Sequence, residues 1–214
     1  MKALILNSGL GLRMGVLTSE HPKCMTDISS DETILSRQLK MLCETGVDDV
    51  VMTTGYFDSV LVQYSQSLGL PINFTFVKNP IYDQTNYIYS IYCARDYLDD
   101  DILLLHGDLV FENLVLEAVI NSPESCMTVS STVPLPEKDF KAVIKDGRIE
   151  KVGVEFFNNA MAAQPLYKIL KEDWLVWLKN IEKFCKNDNR KVYAENGSKG
   201  LYTADIHRLV RNAR

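Results

Sequence analysis

A glycine-containing loop near the start of the chain has the residue types needed to bind phosphate groups. An apolar run at residues 3–6 leads into Gly9 and Gly11, then Arg13, and Lys23 follows ten residues later behind a proline. Glycines let backbone N–H groups approach a polyphosphate closely. Arg13 can hold phosphate oxygens with its planar guanidinium, and Lys23 can add a compact positive charge. The loop therefore favours a site for a nucleoside triphosphate.

Two common glycine-rich motifs do not fit this loop. The P-loop requires Gly-Lys-Ser/Thr, which does not follow here. The dinucleotide-binding fingerprint requires a third glycine, and Arg13-Met14 stands where that pattern needs small residues. A Gly-x-Gly pair alone is common in ordinary turns, so the prediction depends on the whole array of strand, glycines, arginine and lysine.

A second candidate is Asp108, which follows the apolar run 102–105 in the sequence His106-Gly107-Asp108. A carboxylate at the end of a buried strand can hold Mg²⁺ close to a triphosphate. A turn or helix-capping aspartate is the structural alternative, and it is common. The glycine loop upstream favours the metal role.

Alternating strands and helices must position these residues. The apolar pattern predicts strands at 2–7, 47–53, 73–77 and 101–105, with helices at 33–44, 57–67 and 85–98. Strands that are apolar on both faces indicate a parallel sheet covered on both sides, and ligands bind beyond its carboxyl edge. We predict an α/β fold with a Rossmann-like mixed, mostly parallel sheet and helices on both faces.

The second half of the chain has a different pattern. A hairpin is predicted from 140–144 and 148–154 around Asp146-Gly147. An amphipathic helix is predicted at 172–185, with an apolar side made of Trp174, Leu175, Leu178, Ile181 and Phe184. We expect one domain over 1–214, with its nucleotide-binding part at about 1–110 and its acceptor-binding part at about 111–214.

Composition excludes several other classes of protein. The net charge is −5, which argues against non-specific nucleic-acid binding, and no apolar run approaches a membrane span. Five cysteines without C-x-x-C spacing suggest neither a disulfide framework nor a zinc site. We expect a cytoplasmic protein that binds neither nucleic acid nor a membrane.

The N-terminal array resembles the signature of the sugar-phosphate nucleotidyltransferase superfamily. It comprises Gly9-x-Gly11-x-Arg13-Met14, Thr18 and Pro22-Lys23-x-Met25. Residues 83–92 look like a segment of the bacterial CTP:phosphocholine cytidylyltransferases. A further set resembles the cytidylyltransferases that make CMP-2-aminoethylphosphonate, and it consists of residues 106–111, 134–141, 164–168 and 193–196.

The resemblance implies transfer of CMP from CTP to a phosphate-bearing acceptor with Mg²⁺, and catalytic roles for Arg13, Lys23 and Asp108. The nucleotide contacts we expect are Leu6, Asn7, Ser8, Gly9, Gly11, Thr54, Gly55, Tyr56 and Asn86. The resemblance also implies a transaminase fused to or associated with such a domain. The sequence leaves the oligomeric state open, a homo-oligomer included.

The residue types near the predicted hairpin bear on the acceptor. A trimethylammonium group has no N–H and is held by aromatic rings, whereas a primary ammonium favours carboxylates and carbonyls. The candidates to bind the acceptor are Lys138, Asp139, Glu195 and Asn196, which favour a primary amine such as 2-aminoethylphosphonate. Phe140, Phe156 and Phe157 could instead form an aromatic cage, so phosphocholine or phosphoethanolamine remains an alternative.

One part of the resemblance is missing. Such enzymes end with a Glu-Ile-Asp segment whose aspartate is a second Mg²⁺ ligand, and this chain has none. Asp205, at the start of a strand-like stretch at 205–210, could take that role. We expect 1–214 to be the N-terminal part of a longer polypeptide, or the ligand to come from elsewhere. A catalytically silent nucleotide-binding domain is the remaining alternative.

Overall fold

The computed structural model describes residues 1–11, 15, 18–186 and 211–212. Its strands are β1 (Lys2–Leu6), β2 (Asp49–Thr54), β3 (Asn73–Lys78), β4 (Ile102–His106), β5 (Cys126–Ser130), β6 (Lys141–Lys145), β7 (Arg148–Gly153), β8 (Ala160–Ile169) and β9 (Arg211–Asn212). Its α-helices are α1 (Ile34–Glu44), α2 (Asp58–Ser67), α3 (Tyr87–Ala94), α4 (Asn113–Ile120) and α5 (Lys171–Lys186). Short 3₁₀ turns lie at Lys23–Met25 and Arg95–Tyr97.

The strands form one mixed sheet in the order β3-β2-β1-β4-β8-β5-β9-β7-β6. The first four of these strands pair in parallel, and β8 is antiparallel to β4, β5 and β6. Among the described strands, β7 and β8 run antiparallel to all the others. The predicted α/β class, with a Rossmann-like and mostly parallel sheet, is confirmed.

Alternate residues of the parallel strands pack into two separate hydrophobic cores. Ala3 and Ile5 of β1 pack in a cluster with residues of α1 and α4, whereas Leu4 and Leu6 pack in a cluster with α3 and α5. This is the period of two that an extended chain imposes on its side chains. It puts helices on both faces of the sheet, as parallel strands require.

β6 pairs with β8 as well as with β7, so strands β5 to β9 form a closed circuit. A third cluster of apolar side chains lies there and contains Met127, Ala142, Ile149 and Val152. Since β5 occupies the other edge of β8, β4 and β6 lie along the same edge. Leu105 of β4 faces Leu166, and Lys141 of β6 faces Ala162. The start of β6 therefore lies beyond the carboxyl end of β4.

The predicted hairpin is confirmed as β6 and β7, with positive φ angles of 51° at Asp146 and 73° at Gly147. The predicted final helix is confirmed as α5, but the prediction of its apolar side was wrong at Leu175, which is half exposed. The buried residues of α5 are Trp174, Trp177, Ile181 and Cys185. The side chain of Phe184 and the stretch 205–210 lie outside the described residues. No α-helix in the part of the chain that the structure describes is both long and apolar enough to cross a bilayer.

Candidate active site

A cleft of about 560 Å³ opens at the carboxyl edge of the parallel strands. Its volume falls in the range of small-molecule sites. Eight of the predicted site residues line it, namely Leu6, Asn7, Ser8, Gly9, Gly11, Lys23, Asn86 and Asp108. The structure therefore brings together residues that the sequence spreads over positions 6 to 108.

Lys23 and Asp108 form an ion pair on the wall of this cleft. Lys23 begins the 3₁₀ turn, Asp108 follows β4, and Nζ of the lysine donates a hydrogen bond to Oδ2 of the carboxylate. Their side chains are 41% and 38% exposed, so the pair adds little to stability. What matters is its location, because it places a cation and a carboxylate at a site open to an incoming ligand.

Helix α1 fixes both members of this pair. The backbone N–H of Ile34, at the start of α1, donates to the Thr26 carbonyl at 3.1 Å, directly after the turn that carries Lys23. The Gln38 side chain donates to the carbonyls of His106 and Leu109 at 3.1 and 2.8 Å, on either side of Asp108. One helix therefore holds both segments of the ion pair.

His106, the last residue of β4, and Asp108, in the turn after it, have shifted pKa values. Burial opposes ionisation of Asp108, but the hydrogen bond and charge of Lys23 outweigh it and lower the pKa of the carboxyl below its ordinary value. The carboxylate is therefore charged at neutral pH, and its pairing energy is lost only as the pH falls through that lowered pKa. Burial also lowers the pKa of His106, whose ring lies 5.2 Å from that of Tyr87, so its imidazole is neutral at neutral pH.

Asp108 is a suitable ligand for a magnesium ion that also binds a triphosphate. Mg²⁺ commonly takes one or two carboxylates together with substrate phosphates. Within residues 1–11, 15, 18–186 and 211–212, no group of three or more His, Cys, Asp and Glu side chains could hold a metal by itself. Asp108 fits the role of a single protein ligand. Asp205, which could stand in for the missing second ligand, lies outside the described residues.

A network of buried polar side chains supports the loop after β1. Ser8 Oγ lies 2.6 Å from Ser90 Oγ and 3.2 Å from Thr53 Oγ1. Nδ2 of Asn79 donates to Ser90 Oγ at 3.0 Å and to Thr85 Oγ1 at 2.9 Å. These groups bond mainly to one another, so they hold the loop in place. We did not predict Asn79 or Ser90, although Asn79 follows a parallel strand directly, as Asn7 does.

Two other residues in the cleft have clear structural reasons for their identity. Asn86 caps α3, since its Oδ1 accepts from the backbone N–H of Ile88 at 2.9 Å. A Cβ on Gly107 would lie only 1.5 Å from Oδ1 of Asn7, so the glycine makes room for that side chain. Nδ2 of Asn7 is buried and has no hydrogen-bond partner among the described residues.

The predicted nucleotide contacts at the end of β2 and directly after it lie beside the cleft and do not line it. Thr54 is fully buried and donates a hydrogen bond to Asp58. A Cβ on Gly55 would lie 2.3 Å from the backbone oxygen of Ser8. Tyr56 is 65% exposed, and its ring centroid lies 6.3 Å from that of Tyr82, which does line the cleft. These three residues support the wall from outside.

Replacing Gly55 by alanine should weaken CTP binding about tenfold, a loss of about 1.4 kcal/mol. The new Cβ collides with backbone, which cannot rotate away as a side chain can, so the Ser8–Gly9 segment must shift. Calorimetric titration with Mg–CTP measures the effect. Gly46→Ala is the control, because Gly46 has a φ of +74° and open space and precedes β2 at the opposite edge of the sheet. It should lose stability and bind CTP normally, and equal affinities for both variants would contradict this prediction.

Of the remaining predicted residues, two lie away from the cleft lining and three fall outside the described residues. Lys138 and Asp139 are exposed on the loop that precedes β6. Arg13, Glu195 and Asn196 lie outside the described residues.

Comparison with known families identifies the domain. A family model for the MobA-like NTP transferase domain matches residues 3–140. The chain belongs to this family. The matched region of the NTP transferase domain begins in β1 and ends before β6, so it contains the cleft with Lys23 and Asp108.

Curated relatives of this NTP transferase domain include two proteins named for phosphorus-containing products or acceptors. A CMP-5′-(3-aminopropyl)phosphonate synthase from Streptomyces rubellomurinus is 34% identical over 61% of this chain and 21% of its own length. A CTP:phosphoglutamine cytidylyltransferase from Campylobacter jejuni is 27% identical over 71% of this chain and 62% of its own length. The chain thus spans less than two thirds of both relatives.

Solved structures share the fold of this domain. A CTP:phosphocholine cytidylyltransferase from Streptococcus pneumoniae aligns over 99% of this chain and 88% of its own, with a TM-score of 0.71 and 18% identity. An inositol-1-phosphate CTP transferase from T. maritima aligns over 99% and 85%, with a TM-score of 0.70 and 20% identity. At these identities the likeness concerns the fold.

Proposed function

We propose that this domain transfers CMP from CTP to a small acceptor that carries a phosphonate or phosphate and a primary amine, with release of pyrophosphate. 2-Aminoethylphosphonate is the leading acceptor. The observation that carries the proposal is the Lys23–Asp108 pair on the wall of a nucleotide-sized cleft, directly beyond the parallel strands. The curated relatives, one named for a CMP-phosphonate and one for CTP and phosphoglutamine, support CTP as the nucleotide.

In this reaction an acceptor oxygen attacks the α-phosphorus of CTP, and the bond from that phosphorus to the pyrophosphate oxygen breaks. The attacking oxygen is already anionic, so the site needs no general base. It needs a fixed positive charge between two anions and an in-line arrangement. Lys23 supplies that charge from the cleft wall, and Arg13 is proposed to add a second contact to the phosphates. Mg²⁺ bound at Asp108 would supply further positive charge to the triphosphate.

The base is assigned to the cleft, and the acceptor to residues outside its described lining. The backbone groups of residues 6–9 are proposed to bind cytosine. The Ser8 side chain is not assigned this role, because its hydroxyl is already hydrogen-bonded to Ser90 and Thr53. Lys138 is proposed to hold the phosphonate, with Asp139 and Glu195 near the amine. Asp139 belongs to the loop before β6, and β6 starts beyond the strand that carries Asp108.

Pyrophosphate release tests this function directly. The longest available form of the protein is mixed with CTP and Mg²⁺, and 2-aminoethylphosphonate, phosphoethanolamine and phosphocholine are compared as acceptors. The expected result is the highest kcat/KM with the phosphonate. Preference for phosphocholine would instead assign the acceptor site to the phenylalanines. Tight Mg–CTP binding without release from any acceptor would make the protein a silent nucleotide-binding domain.

A further inference from the structure

Lys141, the first residue of β6, is fully buried, which is rare for a lysine. Its Nζ donates to the carbonyl oxygens of Pro136 and Asp139 at 2.5 and 3.1 Å. The same atom lies 4.1 Å from the centroid of the Phe157 ring. An ammonium has three N–H donors, and here two go to carbonyls while the charge rests against an aromatic face. The buried charge is therefore compensated inside the protein.

These contacts connect two segments that are separate in sequence, 136–141 and the one that contains Phe157. Pro136 and Asp139 stand at the two ends of a short loop segment, and Phe157 belongs to the connection between β7 and β8. The residues of that segment after Pro136 are exposed, namely Glu137, Lys138 and Asp139. Since Lys141 anchors both ends of the segment, it fixes the backbone from which these polar side chains project.

The sheet places this anchored loop beside the reaction centre. β4 and β6 pair with successive parts of the same edge of β8, opposite Leu166 and Ala162 respectively. These two positions are four residues apart, or about 13 Å along a strand. The turn with Asp108 follows β4, and the loop before β6 returns to the sheet just beyond it. The loop before β6 therefore lies beyond the turn with Asp108, along the same edge of β8.

The same lysine changes what the nearby aromatic rings can bind. A trimethylammonium group needs an accessible aromatic face without a competing cation. Lys141 already covers a face of Phe157, and Nζ of Lys151 lies 5.9 Å from the Phe156 ring. Phe140 packs against the third apolar cluster. Each of the three phenylalanines is thus either paired with a cation or engaged in packing.

We propose that Lys141 is a positioning residue that sets acceptor specificity. It presets the loop segment 136–139 for the acceptor, and it fills the aromatic face that a quaternary ammonium would use. The proposal rests on the proposed function, since it concerns the acceptor of that reaction.

The test compares Lys141→Met with the wild type in the longest available form of the protein. Methionine keeps most of the buried length and removes the charge and all three donors. We expect the KM for 2-aminoethylphosphonate to rise at least ~10-fold and its advantage over phosphocholine to fall at least ~10-fold. The calorimetric Kd for Mg–CTP should stay within about twofold, because the nucleotide loop does not contact this lysine.

Lys168→Met is the matched control. Lys168 is also buried, and its Nζ donates to two carbonyls, those of Ile120 and Ser122, at 2.8 and 2.5 Å, near the opposite end of β8. This variant should lose stability as well, with an unchanged acceptor KM. A general loss of packing would therefore affect both variants, whereas the proposed role affects only the first.

Phe157→Leu keeps the proposal testable if Lys141→Met does not fold. Phe157 is half exposed, so its replacement should leave the fold intact while removing the aromatic partner. We expect at least a ~3-fold rise in acceptor KM. Unchanged acceptor kinetics in a folded Lys141→Met, or in Phe157→Leu where Lys141→Met does not fold, would overturn the inference alone. Equal effects in both lysine variants would do the same. A wild type that is silent with every acceptor would overturn the proposed function, and this inference with it.

Discussion

Replacing Lys23 by methionine is expected to lower kcat/KM for pyrophosphate release at least ~100-fold, the usual cost of removing one preorganised charge. Two anions must meet at the α-phosphorus, and Lys23 is the cation that the described cleft wall holds next to Asp108. Because the pair is well exposed, the variant should keep its melting temperature. Steady-state kinetics with CTP and 2-aminoethylphosphonate, together with thermal unfolding, measure both effects.

Lys40→Met is the matched control for this prediction. Lys40 is 48% exposed and pairs with Glu32 at 3.7 Å, but it does not line the cleft. The Lys40→Met variant should have the kcat/KM of the wild type. Lys23→Arg keeps the charge in a group of different shape, so its kcat/KM should lie between those of Lys23→Met and the wild type. A Lys23→Met enzyme within about fivefold of wild type would refute the catalytic role of this lysine.

Asparagine at position 108 should reduce the rate by at least ~100-fold as well, and should raise the Mg²⁺ concentration needed for half-maximal rate. The substitution keeps the size of the side chain and an oxygen that can accept from Lys23. It removes the negative charge that a magnesium ion requires. Titration of the rate with MgCl₂ at saturating CTP measures the shift.

The magnesium titration also separates two roles of Asp108. If the carboxylate binds metal, excess Mg²⁺ restores part of the lost rate, whereas a carboxylate that only orients Lys23 gives a loss that metal does not repair. Asp96→Asn is the control, because Asp96 forms an exposed pair with Arg95 at 3.4 Å away from the cleft. A near-normal rate for Asp108→Asn would exclude both roles.

The parallel half of the sheet could be predicted because its signals are local. Apolar runs mark β1, β2 and β4, and the rule that ligands bind beyond carboxyl ends then brings Lys23 and Asp108 to one edge. The same rule does not tell which way a side chain points after its strand ends. Thr54, Gly55 and Tyr56 therefore come to the expected edge and still lie outside the cleft.

Of the antiparallel half, only the β6–β7 hairpin could be predicted, from its local turn. The pairings of β8 could not, since they are non-local and β8 breaks a sequence rule. β8 contains Pro165, which argues against a central strand. The register between β5 and β8 shifts at Met127 and Thr128, which face Tyr167 and Gln164, so the proline falls in a bulge. Lys141 gives no sign of burial either, because lysine is ordinarily a solvated residue and its partners come from a loop and a distant ring.

Helix α1 has a mechanical consequence for the two charges that it holds. The hydrogen bonds of Ile34 and Gln38 attach the Lys23 turn and the Asp108 turn to the same short helix. The loop before β6 is held separately, by Lys141. A short helix keeps its length when neighbouring loops move. The spacing of the two charges is therefore set independently of the loop before β6. Under the proposed function, substitutions in that loop would change acceptor preference while the nucleotide side stays the same.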